Sequence, residues 1–125
     1  MKRIHFPLLT IFVIILGISG CNRENTELKK EAKVIAEAMC RSIETMNKLG
    51  AADPSDTSLI IKLQSESKAI GEEMASQYEA FNKKFNKQSE EPGFKKEFSK
   101  YLREAMLECP HLSKEDRENF MKQAP

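Results

Sequence analysis

Apolar residues in the first long segment recur every three or four positions, the spacing that places side chains on one face of an α-helix. These positions form a single stripe: Leu28, Ala32, Ile35, Met39, Ile43, Met46 and Leu49. Gly50 follows the stripe directly, and glycine is common at the C-terminal end of a helix. The pattern predicts a first helix that begins near Asn25 and stops at Gly50.

A second stripe with the same spacing predicts a longer helix over residues 54–86. Two polar residues, Ser67 and Gln77, interrupt it. Its apolar members are Ile60, Leu63, Ile70, Met74, Tyr78, Phe81 and Phe85. An aspartate can cap a helix, and proline suits the first helical position. We therefore expect Asp53 to cap this helix, with Pro54 as its first residue.

Residues 87–93 have the composition of a loop, and two further helices follow. The third is predicted over residues 94–108, with Phe98, Tyr101, Leu102, Ala105 and Met106 facing inward. A short fourth helix is predicted over residues 113–121, where Ser113 and Asp116 stand in capping positions. Amphipathic helices joined by short loops bury their stripes on one another. The predicted fold is all-α: a small antiparallel three-helix bundle with a short fourth C-terminal helix.

The start of the chain has a different pattern. Lys2 and Arg3 carry the only formal charges in residues 1–20, and residues 6–18 are almost wholly apolar. A basic start followed by a short apolar run is the layout of an export signal. A membrane-spanning helix needs roughly 20 apolar residues. An uncleaved membrane anchor is therefore the less favoured alternative.

The residues that end this run, Ile18-Ser19-Gly20-Cys21, resemble the lipobox of bacterial lipoproteins. In that family an aliphatic residue and two small residues precede a cysteine whose sulfur carries diacylglycerol. The resemblance implies cleavage before Cys21 and lipid on Cys21, so that the membrane is one partner. It covers residues 1–21 alone. The alternative is a plain secretory signal in which Cys21 falls at this point by chance.

The resemblance divides the chain into a signal peptide (residues 1–20), a lipidated cysteine with a short tether (residues 21–26) and a helical domain (residues 27–125). An extended tether of about 17 Å keeps the domain near the headgroups. In many Gram-negative bacteria, lipoproteins with a residue other than aspartate after the lipidated cysteine go to the outer membrane. Asn22 therefore implies the outer membrane in preference to the inner membrane.

Charge and motifs limit the functions that the sequence supports. Removal of residues 1–20 changes the formal net charge from +1 to −1, because Lys2 and Arg3 are lost. Nucleic-acid-binding domains usually carry a basic patch or a high pI, so nucleic acid is not a predicted partner. His111 is the only histidine after residue 20, and no nucleophile–histidine–acid set can be built around it. We predict no enzymatic activity, no metal and no cofactor.

Assignment of Cys21 to lipid leaves Cys40 and Cys109 as a pair. Exported proteins fold in an oxidising compartment, where paired cysteines usually form disulfides. In the predicted bundle the first and third helices are parallel, and each cysteine lies roughly 22 Å above its helix start. We therefore predict a disulfide between them. The alternative, a metal or haem site at Cys109-Pro110-His111, offers few ligands for zinc, which takes four protein ligands in structural sites.

Six aromatic residues flank the second loop: Tyr78, Phe81, Phe85, Phe94, Phe98 and Tyr101. They are predicted to pack together at that end of the bundle, and an open groove there would receive a partner helix or an acyl chain. They are the predicted partner-binding residues. The sequence favours a membrane-anchored, non-enzymatic interaction or structural module of the cell envelope, including an inhibitor of another envelope protein. The alternative is a binder of a small apolar or lipid ligand in a cavity between helices.

Overall fold

The computed structural model describes residues 25–123, which form four α-helices and one short 3-10 helix. The helices are α1 (Thr26–Ala51), α2 (Thr57–Lys84), α3 (Phe94–Leu107) and α4 (Lys114–Lys122), with the 3-10 helix at Gln88–Glu90. The all-α prediction is confirmed for this part of the chain. None of its helices is long and apolar enough to cross a membrane. The predicted signal peptide and Cys21 lie outside the described residues.

The start of α1 agrees with the sequence prediction, whereas its end lies one residue later. The Asn25 side chain accepts a hydrogen bond of 3.1 Å from the backbone N–H of Leu28, as a helix cap does. The helix continues through Gly50, which lacks the positive φ of a glycine that ends a helix. The chain leaves the helix at Ala52, which has an extended backbone. The predicted stop at Gly50 was therefore wrong.

The predicted cap of α2 was also wrong. The carboxylate of Asp56 accepts a hydrogen bond of 3.0 Å from the backbone N–H of Leu59, and α2 begins directly after Asp56. Asp53 accepts bonds of 2.8 and 2.7 Å from the backbone N–H and the hydroxyl of Ser55. This Asx turn leaves Pro54 outside the helix. A carboxylate engaged by Ser55 does not reach the first turn of α2.

The starts of α3 and α4 are close to their predicted positions. Gly93 precedes α3 with φ of +87°, a left-handed conformation that glycine adopts without steric cost. The Ser113 oxygen accepts a hydrogen bond of 3.0 Å from the backbone N–H of Asp116. The predicted capping pair of the fourth helix is therefore confirmed.

Most of the core lies in two adjoining clusters. The first joins the start of α1, the end of α2 and the start of α3: Leu28, Ala32, Ile35, Phe81, Phe85, Phe94 and Tyr101. The second contains Ala36, Met106, Cys109 and Leu112. Met39 and Leu102 pack against both clusters. Because α1 contributes to both, it is the helix against which α2 and α3 pack.

The inward face of α2 differs in one place from the predicted stripe. Gln77 is half-buried, whereas Tyr78 is 38% exposed. Together with the buried Leu63 and Ile70, Gln77 continues a seven-residue repeat, the spacing of two helices packed along one seam. On α1, Met46 is 62% exposed, so its predicted inward position was wrong.

A disulfide joins Cys40 to Cys109, across a sequence separation of 69 residues and a Cα–Cα distance of 5.7 Å. Cys40 lies in the middle of α1, and Cys109 follows the end of α3. The predicted pairing is confirmed. The bond fixes the end of α3 to α1 next to the second core cluster, to which Cys109 itself belongs.

Candidate functional site

The aromatic residues that the sequence assigned to partner binding meet where α2 ends and α3 begins. The ring centroid of Phe81 lies 4.9 Å from that of Phe85 and 4.6 Å from that of Phe98. The rings of Phe85 and Phe94 are 5.6 Å apart. Aromatic pairs at these separations stabilise one another in addition to the apolar area they bury. The four phenylalanines therefore hold α2 to α3.

Most of this aromatic set is inside the domain. Phe81, Phe85, Phe94 and Tyr101 are buried and Phe98 is half-buried. Tyr78 is the most exposed of the set. The cluster forms a core that presents Tyr78 and part of Phe98 to solvent. Partner binding by these six residues stays a prediction.

The Cys109-Pro110-His111 segment is docked on α1. The Cys109 sulfur is bonded to Cys40, which uses the thiol that a metal or haem site at this segment would need. His111 Nε2 lies 3.4 Å from a carboxylate oxygen of Glu44, and Asn47 donates a hydrogen bond of 3.1 Å to the His111 carbonyl. Among residues 25–123, no three His, Cys, Asp or Glu side chains are arranged to hold a metal ion.

Arg117 on α4 holds the end of α3, a role that the sequence analysis missed. Its guanidinium donates one hydrogen bond to the carbonyl of Leu107 and another, of 2.8 Å, to the carbonyl of Cys109. A cation at a helix C-terminus satisfies carbonyls that lack partners within the helix. No sequence pattern distinguishes Arg117 from the other surface cations, because its role depends on where the chain turns after α3.

A groove of about 330 Å³ runs between α1 and α2. Its lining is mostly charged: Arg41, Glu44, Thr45, Lys48, Glu66, Ala69, Ile70 and Glu73. Arg41 donates a hydrogen bond of 2.6 Å to Glu73, which raises the pKa of Arg41 and lowers that of Glu73. Lys48 lies 2.7 Å from Glu44 and lowers the pKa of that carboxyl.

Four of the five charged side chains of this groove thus pair with one another, Arg41 with Glu73 across the helices and Lys48 with Glu44 along α1. A pocket for an apolar ligand encloses most of the ligand surface, whereas this groove is open to solvent and five of its eight lining residues are charged. The alternative function of apolar-ligand binding stays a prediction, without support from this groove.

Exposed apolar side chains mark another part of the surface. Met46 near the end of α1 and Ile61 near the start of α2 are 62% and 66% exposed, and Leu59 is 39% exposed. We call these three residues the distal apolar residues, because α1 and α2 place them far from the start of α1. These exposed side chains lie apart from the aromatic end.

No protein-family model, curated protein or solved structure matches this chain. Cys21 lies outside the described residues, so its lipidation stays a prediction from the lipobox resemblance. The sequence gives the number of residues between Cys21 and the first described helix. Asn25, which caps α1, is the fourth residue after Cys21.

Proposed function

We propose that this protein is a lipid-anchored lipoprotein of the bacterial cell envelope, more specifically of the outer membrane, whose helical domain is a non-enzymatic interaction module. One observation carries the proposal: the cap of α1, Asn25, follows the lipobox cysteine by four residues. Four residue steps span at most about 14 Å. A domain on so short a tether stays at the membrane surface, where it meets partners that are themselves in the envelope.

The distal apolar residues support an interaction with another envelope protein. Met46 lies about 30 Å from the start of α1 at the rise of an α-helix, and Leu59 and Ile61 lie at the start of α2. These side chains are exposed in the isolated chain. Their removal from water against a partner would be favourable. The proposed module therefore has its anchor at one end and exposed apolar residues, available to a partner, at the other.

We also propose that the three long helices form an antiparallel bundle. Glu31 pairs with Lys84, and Arg41 pairs with Glu73. A residue later in α1 therefore contacts a residue earlier in α2. Lys29 contacts the Tyr101 ring, and Cys40 is bonded to Cys109 just after α3. A residue later in α1 therefore contacts a residue later in or just after α3. These pairs support α2 running against α1 and α3.

A spin label tests this arrangement by broadening nearby amide signals in an NMR spectrum. A label at the exposed Asn82 should broaden the amide signals of Leu28 and Phe94 and leave that of Leu49 sharp. Broadening at Leu49 instead would place the end of α2 beside the end of α1 and contradict the antiparallel arrangement.

The lipid anchor is tested by Cys21→Ser in cells that express the full chain. We expect the unaltered protein in the membrane fraction, with a mass for its N-terminal peptide that includes the attached lipid. The variant should lose both. Glu24→Ser is the matched control, because it changes the tether and keeps the cysteine. A Cys21→Ser protein that remained with the membrane would contradict the proposal.

The interaction is tested with a photoreactive amino acid at Ile61, with Lys68 as the control position. Lys68 lies one heptad after Ile61 and is exposed on the same helix. Irradiation of intact cells should give a specific crosslinked envelope protein from position 61 and not from position 68. Identical products from both positions, or no product from position 61, would contradict a partner at the distal apolar residues.

A further inference from the structure

Three parts of the domain meet at the end from which the predicted tether leaves: the start of α1, the end of α2 and the start of α3. The Lys84 ammonium lies 2.8 Å from a carboxylate oxygen of Glu31. The rings of Phe85 and Phe94 are 5.6 Å apart. Side chains that are distant in the sequence therefore share one surface.

We define this surface, the tether end, as residues 25–33 and 79–100. It contains nine lysines and six glutamates, a formal charge of +3. The other residues that the structure describes, 34–78 and 101–123, have a formal charge of −4. The nearly neutral domain is thus electrically polar, and its positive part is where the chain arrives from Cys21.

Five lysines of the tether end are exposed and form no ion pair with a residue that the structure describes: Lys30, Lys33, Lys87, Lys95 and Lys96. We call Lys30, Lys87, Lys95 and Lys96 the four tether-end lysines, and leave Lys33 aside because it lines a groove beside the Cys40–Cys109 disulfide. Lys95 and Lys96 lie in the first turn of α3. The backbone N–H groups there favour acidic side chains and disfavour basic ones. The stability of α3 therefore does not explain this pair of lysines, whereas a negatively charged surface opposite them does.

We propose that the tether end docks on the anionic phospholipid headgroups of the membrane that holds Cys21. This inference rests on the proposed lipid anchor. The path from Cys21 to Asn25 is at most about 14 Å, which keeps the basic end of the domain at the headgroups. A negative surface potential attracts lysines and falls off within a Debye length, about 8 Å at physiological salt.

Docking fixes the orientation of the domain as well as its position. The basic lysines face the headgroups, and the distal apolar residues face away from the membrane. A lipid chain on Cys21 holds the protein at the surface but leaves the domain free to rotate about the tether. The lysines supply the second attachment that restricts this rotation.

The test uses the lipidated mature protein on vesicles of phosphatidylcholine alone or of equal parts phosphatidylcholine and phosphatidylglycerol. An uncharged amine-reactive reagent labels the lysines, and mass spectrometry gives the rate at each one. At the four tether-end lysines we expect the rate to fall by about threefold or more on the anionic vesicles. High salt should restore it, since salt screens the attraction. Lys62 and Lys114 are the internal controls and should keep their rates.

Matched variants separate the location of the charge from its amount. One replaces the four tether-end lysines with glutamine; the other replaces Lys62, Lys68, Lys114 and Lys122. In the mature chain with Cys21→Ser, the first set should lower partition onto anionic vesicles by about tenfold or more. The reason is that each lysine near an anionic surface strengthens binding by about fivefold. The second set should change it much less. Equal protection of both lysine groups, or equal loss of partition in both variants, would overturn the docking proposal.

The outcomes for the anchor and for docking are distinguishable. A protein that carries no lipid fails to float with phosphatidylcholine vesicles, which contradicts the anchor, while the Cys21→Ser chain still reports on the basic surface. Protection of the four lysines in intact cells but not on anionic vesicles would identify an anionic protein as the occupant. That result overturns docking on lipid.

Discussion

At three helix starts, one side-chain oxygen accepts a hydrogen bond from the backbone N–H three residues later. The acceptors are Asn25, Asp56 and Ser113. Each satisfies a donor that has no partner inside its helix. Since the first turn is the costly step of helix formation, these three residues set where α1, α2 and α4 begin.

The competition between Asp53 and Asp56 gives a prediction at the residue scale. Asp56→Ala should lower the free energy of unfolding by about 1 kcal/mol, because the N–H of Leu59 loses its acceptor. Asp53→Ala should cost less, because it removes a turn ahead of α2 and leaves the cap in place. Urea unfolding followed by circular dichroism measures both. A larger loss for Asp53→Ala would assign the cap to Asp53.

The Arg41–Glu73 pair gives a second prediction, on pH dependence. The hydrogen bond from Arg41 lowers the pKa of the Glu73 carboxyl, so the folded state favours its charged form. This contribution is present above the unfolded-state pKa and is lost as the pH falls through the lowered value. We expect the unaltered protein to be more stable than Glu73→Gln near neutral pH, with the difference shrinking below about pH 4.5.

The measurement is urea unfolding at a series of pH values, with Glu72→Gln as the control. Glu72 pairs with Lys68 at 4.0 Å and is 72% exposed, so its substitution should change stability little at any pH. A stability difference for Glu73→Gln that persisted unchanged in strong acid would contradict the role of the ionised carboxylate.

At the scale of elements, the sequence located the helices because amphipathic spacing is a local property. It could not decide between Gln77 and Tyr78 on α2. Adjacent residues on a helix differ by about 100° in direction, and either can border a stripe. The rotation of α2 against α1 decides, and that rotation follows from Leu63 and Ile70 filling the seam.

Because Gln77, and not Tyr78, lies in the seam, the aromatic residues should contribute unequally to stability. Phe85→Ala should lower the free energy of unfolding by about 3–5 kcal/mol, because it leaves a cavity between the Phe81 and Phe94 rings. Tyr78→Ala should cost much less, since Tyr78 is 38% exposed. Urea unfolding compares the two. Equal losses would place the Tyr78 ring in the core.

The candidate site could be predicted in part for the same physical reason. The sequence predicts the pairing of Cys40 with Cys109 on three grounds. Two cysteines are left after Cys21, an exported protein is expected to fold in an oxidising compartment, and the predicted helix lengths place both cysteines at the same height. The contacts of His111 with Glu44 and of Arg117 with the end of α3 depend on the path of residues 108–113. That path is set by packing of Leu112 into the second core cluster, a contact between distant parts of the chain.

At the scale of the whole molecule, the disulfide reduces the conformational entropy of the unfolded chain. Closing a loop of this length contributes about 4 kcal/mol by the chain-entropy estimate. We expect the double substitution Cys40→Ala and Cys109→Ala to lower the free energy of unfolding by up to that amount. Reduction of the unaltered protein should give a similar loss. Thiol alkylation without reductant, read by intact mass, should leave Cys40 and Cys109 unmodified; two alkylated thiols there would contradict the bond.

The position of the disulfide also determines what a protease can release. Both exposed loops between the long helices, residues 52–56 and 85–93, lie between Cys40 and Cys109 in the sequence. A cut in either loop breaks the chain but leaves the two pieces covalently joined through sulfur. The C-terminal piece therefore stays attached to the N-terminal piece and to whatever holds it. Shedding of the domain by a single cut requires cleavage before Cys40 or prior reduction of the bond.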